Sequence, residues 1–403
     1  MKILILHYHH LDRFDKTSEK LDELDQQILP FDPRLKIFKY LCNDIRIFAL
    51  NCADYIKIWS QILNVEYLAH KPEYKVLELL GKILEYYKPN VVYVTSPLKM
   101  PNNTLRNIKK AYLKSKWLCY YGAKVYMPVK EAFREYDIVV TGWKQIVDFL
   151  RQKNINASYF PHFFDEETVG QLNSLHLSKK YPVTFAGALS HGGDEFNKRR
   201  MYLEAIAKKH PLSLFSNIPK GQDNLIRATK MKFQAKLYDI ANKSQNPLSG
   251  FPMIKRYKNI ENRPNPDVFI SKRLSKIAKP PVFGTDYYKV IGESLIFLNA
   301  YIEFNACDGT LGPLCGNIRT FEVTGMGTCL LTQHASNVSE FFEPDSEVVT
   351  YDSKESVVSK IKFLLDNPKT REEIALKGKA RAIRDHTLNK RIPLLKEILK
   401  SSI

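Results

Sequence analysis

Short runs of consecutive apolar residues alternate with longer amphipathic stretches through most of this chain, and that rhythm restricts the fold more than any other feature. Residues 74–88 (YKVLELLGKILEYYK) place Val76, Leu79, Leu80, Ile83, Leu84 and Tyr87 on one helical face. Pro89 stops that helix, and residues 91–95 (VVYVT) follow without polar alternation, as a strand buried on both faces does. The same reading gives a first strand at 2–7 and a helix followed by a strand over 35–51. Helix and strand continue to alternate at 103–114, 117–121, 136–141, 145–152 and 157–160. A second series starts with a strand at 183–187, a helix at 197–209 and a strand at 212–216. It resumes with a helix at 286–293, strands at 295–298, 328–332 and 348–351, and helices at 354–365, 370–385 and 391–399. Alternating helix and buried strand is the signature of an α/β fold with parallel sheets.

A chain of 403 residues exceeds one ordinary domain and suits two of about 150 to 200 residues. The reading divides it into 1–178, 179–375 with a basic insertion near 220–285, and C-terminal helices over 376–403 that pack back on the first domain. Pro161, in YFPHFFDEETV, ends the last strand of the first series. No run of 18 apolar residues occurs, and the start MKILILHYHH is expected to be a core strand and not a signal peptide. The six cysteines contain no C-x-x-C pair, so reduced thiols, no metal site and a cytoplasmic setting are expected. Net charge is +18; between residues 210 and 285, 14 Lys or Arg face 4 Asp or Glu, which supplies +10 of it. A solvated basic surface is the default reading of such a surplus. The functional readings are an anionic membrane face, a phosphorylated substrate or nucleic acid.

The most informative stretch is 295–333, LIFLNAYIEFNACDGTLGPLCGNIRTFEVTGMGTCLLTQ. It reads as a strand, a polar glycine-containing loop, a short helix and a second strand. Asn317 is placed to cap the helix, with Ile318, Arg319 and Thr320 in its first turn, and Gly327 is placed to end it. A loop that feeds a helix N-terminus beside a parallel strand is an anion site, because unpaired N–H groups and the helix dipole favour phosphate there. Glu322 stands one turn further in an otherwise apolar helix, where a carboxylate is costly without a partner. The two hydroxyls of a ribose would be such a partner; solvent or Arg319 is the plainer alternative.

Two other loops carry candidates. After the first strand, His7, His9, His10, Asp12 and Asp15 cluster at a strand's carboxyl end, where doubly wound sheets place ligands. His7, His10 and Asp12 are candidate bases, and a passive polar loop is the alternative. After the strand at 183, the loop ALSHGGDEFNKRR supplies Gly187, Gly192 and Gly193 for close backbone approach, and Lys198 and Arg199 to meet a diphosphate. It matches neither the dinucleotide fingerprint nor a P-loop, and an ordinary glycine turn is the alternative.

The C-terminal half resembles the glycosyltransferases grouped with spore maturation protein CgeB. The shared elements are an R-x-F-E helix (Arg319 to Glu322), a G-x-x-L-L-T strand (Gly327 to Thr332) and the turn FFEPDSEVVTY. After them come a helix ending in Asp366-Asn367-Pro368, an R-x-x-I-A-x-x-G helix (Arg371 to Gly378) and His386-Thr387. The resemblance spans about residues 183–392; the first half is similar only in organisation, around K-P-N and YDIVVT. It implies a GT-B architecture: two Rossmann-like domains facing a cleft, with a C-terminal helix crossing back. It also implies a nucleotide-sugar held by the second domain without a metal ion, consistent with the absence of a D-x-D triplet. Glu322 would hold the donor ribose, and Asn317 with Ile318, Arg319 and Thr320 would meet the diphosphate, with Lys198 and Arg199 neutralising the departing charge. Many retaining enzymes of this kind carry a second glutamate eight positions earlier; here that position is Leu314, and Asp308 or the amides of Gly309 and Gly312 would substitute.

The resulting expectation is a metal-independent glycosyltransferase, retaining by resemblance, acting on a bacterial surface polysaccharide or glycolipid. It would be cytoplasmic or peripheral at the inner membrane face. It takes a UDP-sugar as donor substrate, needs no cofactor, and has no nucleic-acid partner. Two alternatives remain: a nucleic-acid binder using the 210–285 segment, and an inactive GT-B scaffold.

Overall fold

The computed structural model describes all residues except 8–19, 29–32, 43, 67–72, 98–101, 113, 123–130, 174–176, 190–194, 219–221, 243–253, 255–271, 302–312 and 402–403. The chain forms two compact units. Unit 1 comprises Met1–Glu166, Asn305–Phe321 and Ala382–Ile403; unit 2 comprises Glu167–Phe304 and Glu322–Arg381. Among the described residues, no helix is long and apolar enough to cross a membrane.

Unit 1 is built on a six-stranded sheet of order β2-β1-β3-β4-β5-β6. Its strands are β1 (Lys2–His7), β2 (Asp44–Ala49), β3 (Val91–Val94), β4 (Lys116–Tyr120), β5 (Ile138–Thr141) and β6 (Ala157–Tyr159). Every pairing is parallel, which demands crossovers between strands and explains the helical stretches that separate the apolar runs. Val91 to Val94 are all buried, as a strand covered on both faces must be. The helix Glu73–Tyr87 buries Leu79, Leu80, Ile83 and Leu84, the face its periodicity marked.

The C-terminal helix Leu388–Lys400 belongs to this unit and buries Leu388, Leu395, Ile398 and Leu399. Thr387 caps it by accepting from the Lys390 amide, and the Glu166 carboxylate accepts from the amides of Leu388 (2.9 Å) and Asn389 (3.1 Å). A carboxylate on exposed helix-start amides is a favourable charge–dipole contact. A parallel bridge between Phe164 and Thr387 ties the same corner. Buried Arg391 donates to the carbonyl of Pro161 and to Nδ1 of His386.

Unit 2 holds a second six-stranded parallel sheet, of order β12-β11-β10-β7-β8-β9. Its strands are β7 (Tyr181–Ala186), β8 (Leu212–Phe215), β9 (Ala278–Lys279), β10 (Ser294–Asn299), β11 (Cys329–Gln333) and β12 (Val349–Tyr351). Counted within the unit this is the 3-2-1-4-5-6 order, with the topological switch between β7 and β10. Val183, Phe185, Ile296, Leu298, Leu331 and Ile361 form the centre of its core. The helix Lys354–Asp366 opens on a capping box made by Ser353 and Ser356.

Candidate functional site

The helix Ile318–Gly325 is defined at both ends by local chemistry. Oδ1 of Asn317 accepts from the Thr320 amide (3.2 Å) and the Thr320 hydroxyl (2.9 Å), so the cap expected from the sequence is in place. At the other end the Thr328 amide reaches the Val323 carbonyl and the Gly327 amide reaches that of Thr324. These two bonds make a Schellman stop, and Gly327 takes the φ of +73° that such a stop requires. The helix is the crossover between β10 and β11, which pair in parallel, so it runs back against them and its N-terminus lies at their carboxyl edge. Asn317 accepts from the third amide, and a helix N-terminus in this position is dipole-positive and suited to an anion.

Glu322 follows in the same helix and is only 7% exposed. The Tyr288 hydroxyl, from the helix Gly284–Gly292, donates to its Oε1 at 3.1 Å. Burial removes the solvated alternative for this carboxylate. The sequence reading did not single out Tyr288; its only signal is the tyrosine pair in the DYYKV turn.

At the switch between β7 and β10, Arg199 arrives where the reading placed it, but its role there is bracing. Its guanidinium is buried and donates twice to the Ala300 carbonyl (2.9 and 2.7 Å) and once to that of Ala188 (3.0 Å). The adjacent Arg200 similarly holds the Leu189 carbonyl. Lys198, the other member of the basic pair, is exposed. Gly187 continues the ladder by donating to Phe215, while Gly192 and Gly193 lie outside the described residues. Along the same edge the Thr332 hydroxyl donates to that of Tyr301 (2.7 Å) and accepts from the Asn299 amide (3.3 Å).

In unit 1, His7 sits at the carboxyl end of β1, where the order reverses between β1 and β3. Its Nδ1 is 3.0 Å from the Thr95 hydroxyl, and that hydroxyl donates to the Leu6 carbonyl at 3.3 Å. The contact holds the imidazole at the carboxyl end of β1. His9, His10, Asp12, Asp308, Gly309 and Gly312 lie outside the described residues. Leu314 is buried at 3% exposure.

A second histidine in this unit was not marked by the sequence. His162 is buried just after β6, with Nε2 at 2.8 Å from the Tyr120 hydroxyl at the end of β4. Trp143 stands edge-on to its ring and donates to the Cys315 carbonyl at 2.7 Å. The segment YFPHFFD held the signal, an aromatic-rich strand end with one polar ring.

Residues 267–398, which include this helix and Glu322, match a family model described as glycosyl transferase-like. The whole chain is similar in fold to HepE (Alr3699) of Anabaena, solved in complex with UDP-glucose. The two share 12% identity with 100% of each chain covered and a TM-score of 0.57. It is also similar to sucrose-phosphate synthase of Thermosynechococcus elongatus, at 12% identity, 99% of this chain and 98% of that one, and a TM-score of 0.56. A glycosyltransferase from Rickettsia africae gives 12% identity, 99% and 98% coverage and a TM-score of 0.55. No curated protein sequence matches the chain. The two parallel sheets are therefore the Rossmann-like domains of a GT-B fold.

Proposed function

We propose that this chain is a GT-B glycosyltransferase that moves a sugar from a nucleotide-sugar to a saccharide or glycolipid acceptor of the bacterial surface. The observation that carries the reading is Glu322: a buried carboxylate in the crossover helix whose capped N-terminus is suited to an anion. Its oxygens take the ribose hydroxyls, and the helix start at Asn317 meets the diphosphate. The reaction breaks the bond between the anomeric carbon and the diphosphate oxygen, whose electron pair leaves with the nucleotide. Positive charge from the helix terminus, Arg319 and Lys198 stabilises that leaving group, and no metal is invoked. HepE is complexed with UDP-glucose, which makes UDP the first donor base to test.

The acceptor hydroxyl forms the new bond to the anomeric carbon and loses its proton. The resemblance to the CgeB group supports a retaining course; Asp308 is then the residue to examine on the donor face in place of the missing glutamate. In an inverting course the proton goes to a base, for which His7, His10 and Asp12 are the candidates. The basic surplus of the chain supports an anionic or membrane-borne acceptor and an intracellular, membrane-peripheral place of work. Buried Leu314 favours one other reading, a scaffold that binds donor without turnover.

Release of nucleoside diphosphate from a panel of UDP-, GDP- and ADP-sugars tests the proposal. One base should support turnover, and Glu322→Gln should lower kcat/KM by roughly 10- to 100-fold, the worth of hydrogen bonds to a charged group. Unchanged turnover in Glu322→Gln would overturn the donor assignment. Binding without release in the wild type would favour the scaffold.

A further inference from the structure

The proposed chemistry occupies the carboxyl edges of the sheets, but the amino-terminal edge of the unit 1 sheet carries a feature of its own. A cavity of about 260 Å³ opens there, lined by Arg106, Lys109, Lys110, Lys116, Glu135 and Asp137. Lys116 begins β4, whose five residues put the cavity about 16 Å from the carboxyl edge on which His7 lies. Residues 102–120 contain five basic side chains and no acidic one. The two carboxylates of the lining are already engaged. Glu135 pairs with Arg106, and Asp137 holds Lys109 at 3.2 Å and the Trp117 amide at 2.7 Å. Lys110 and Lys116 are exposed and make no side-chain hydrogen bond or ion pair among the described residues. The cavity thus keeps a surplus of two positive charges whose mutual repulsion an anion would relieve.

Further along the same edge, Lys2 and Arg46 line a second hollow, but Asp44 (4.0 Å from Lys2) and Asp22 (2.7 Å from Arg46) pair with them there, so the charge surplus belongs to the first cavity.

We propose that the Arg106–Lys109–Lys110–Lys116 cavity is a second anion site, for a phosphate-bearing group, separate from the donor site. The assignment does not rest on the proposed glycosyl transfer. The full-length protein and a Lys110→Ala/Lys116→Ala variant are compared in two arms. One measures co-sedimentation with phosphatidylcholine vesicles with and without phosphatidylglycerol. The other measures thermal stabilisation by inorganic phosphate. A lipid headgroup gives phosphatidylglycerol-dependent binding that falls roughly thirty-fold in the variant, from about 1 kcal/mol for each lysine near an anionic surface. A soluble phosphate instead gives stabilisation that the variant loses. A control variant, Lys369→Ala/Lys377→Ala, removes the same charge elsewhere and should keep both responses; the melting temperature without ligand should be unchanged in all three. Responses that are absent, or equal in wild type and the Lys110/Lys116 variant, overturn the site.

Discussion

The Tyr288 phenol donates to Oε1 of Glu322 at 3.1 Å, and both residues are buried. The contact fixes the carboxylate proposed to hold the donor ribose. Tyr288→Phe leaves that buried oxygen with one donor fewer, a loss of about 1 to 3 kcal/mol in stability. Because Tyr288 acts through Glu322, the variant should raise the donor KM several-fold and leave kcat nearly unchanged. A fall in kcat at constant KM would place Tyr288 in the chemistry instead.

Asn317 satisfies the third amide of the Ile318–Gly325 helix and orients Thr320. Asn317→Ala should cost about 1 kcal/mol of stability, read from urea midpoints, whereas Asn317→Ser should recover most of it. Equal losses in both variants would show that the side chain matters for something other than capping.

Much of this architecture is legible in the sequence because its determinants are local. Runs such as VVYV and CLLTQ become strands buried throughout, and the Asn317 cap and Gly327 stop fall on the residues whose chemistry demands them. What is not local is not legible. The division between Glu166 and Glu167, and the inclusion of Asn305–Phe321 in unit 1, depend on packing that leaves no pattern in adjacent residues. In the run Lys198-Arg199-Arg200 the composition gives three cations. Only the fold decides that both arginines turn inward to carbonyls and the lysine outward. Tyr288 and His162 were passed over for a related reason: an aromatic in an apolar run looks like core until its polar atom is seen to meet a partner.

Asp25 gives the stability of unit 1 a pH dependence. Burial pushes its carboxyl up to about 7 from an ordinary 3.8, against the hydrogen bond it accepts from Tyr55. Between about pH 4 and pH 7 the folded protein therefore keeps a proton that the unfolded chain releases, so stability falls as pH rises through that window and levels off above it. Asp25→Asn preserves an acceptor for Tyr55 and should flatten this decline, stabilising the protein near pH 8 by on the order of a few kcal/mol. Chemical denaturation at about pH 5 and pH 8 checks it. A wild type that is more stable at the higher pH, with Asp25→Asn tracking it, would contradict the assignment.

Gly378 lies inside the helix Pro368–Asp385, where alanine would ordinarily be worth about 1 kcal/mol more than glycine. A Cβ at this position would collide with the Glu347 carbonyl oxygen, and it would also meet Thr324 Cγ2 at 3.6 Å. Backbone cannot yield as a flexible side-chain tip does, so overpacking at about 1 to 3 kcal/mol outweighs the propensity gain. Gly378→Ala should lower the melting temperature; a rise would mean that the turn carrying Glu347 moves aside at little cost.

Thermal stabilisation by nucleoside diphosphates and their sugars, measured on the wild type and on Glu322→Ala, tests the donor site most directly. A ligand at 100 times its dissociation constant stabilises the fold by about 2.7 kcal/mol. One nucleotide, UDP first, should produce that shift in the wild type and lose it in a Glu322→Ala protein that still unfolds cooperatively. An equal shift in both proteins, or no shift with any nucleotide, would contradict the assignment of Glu322 to the donor.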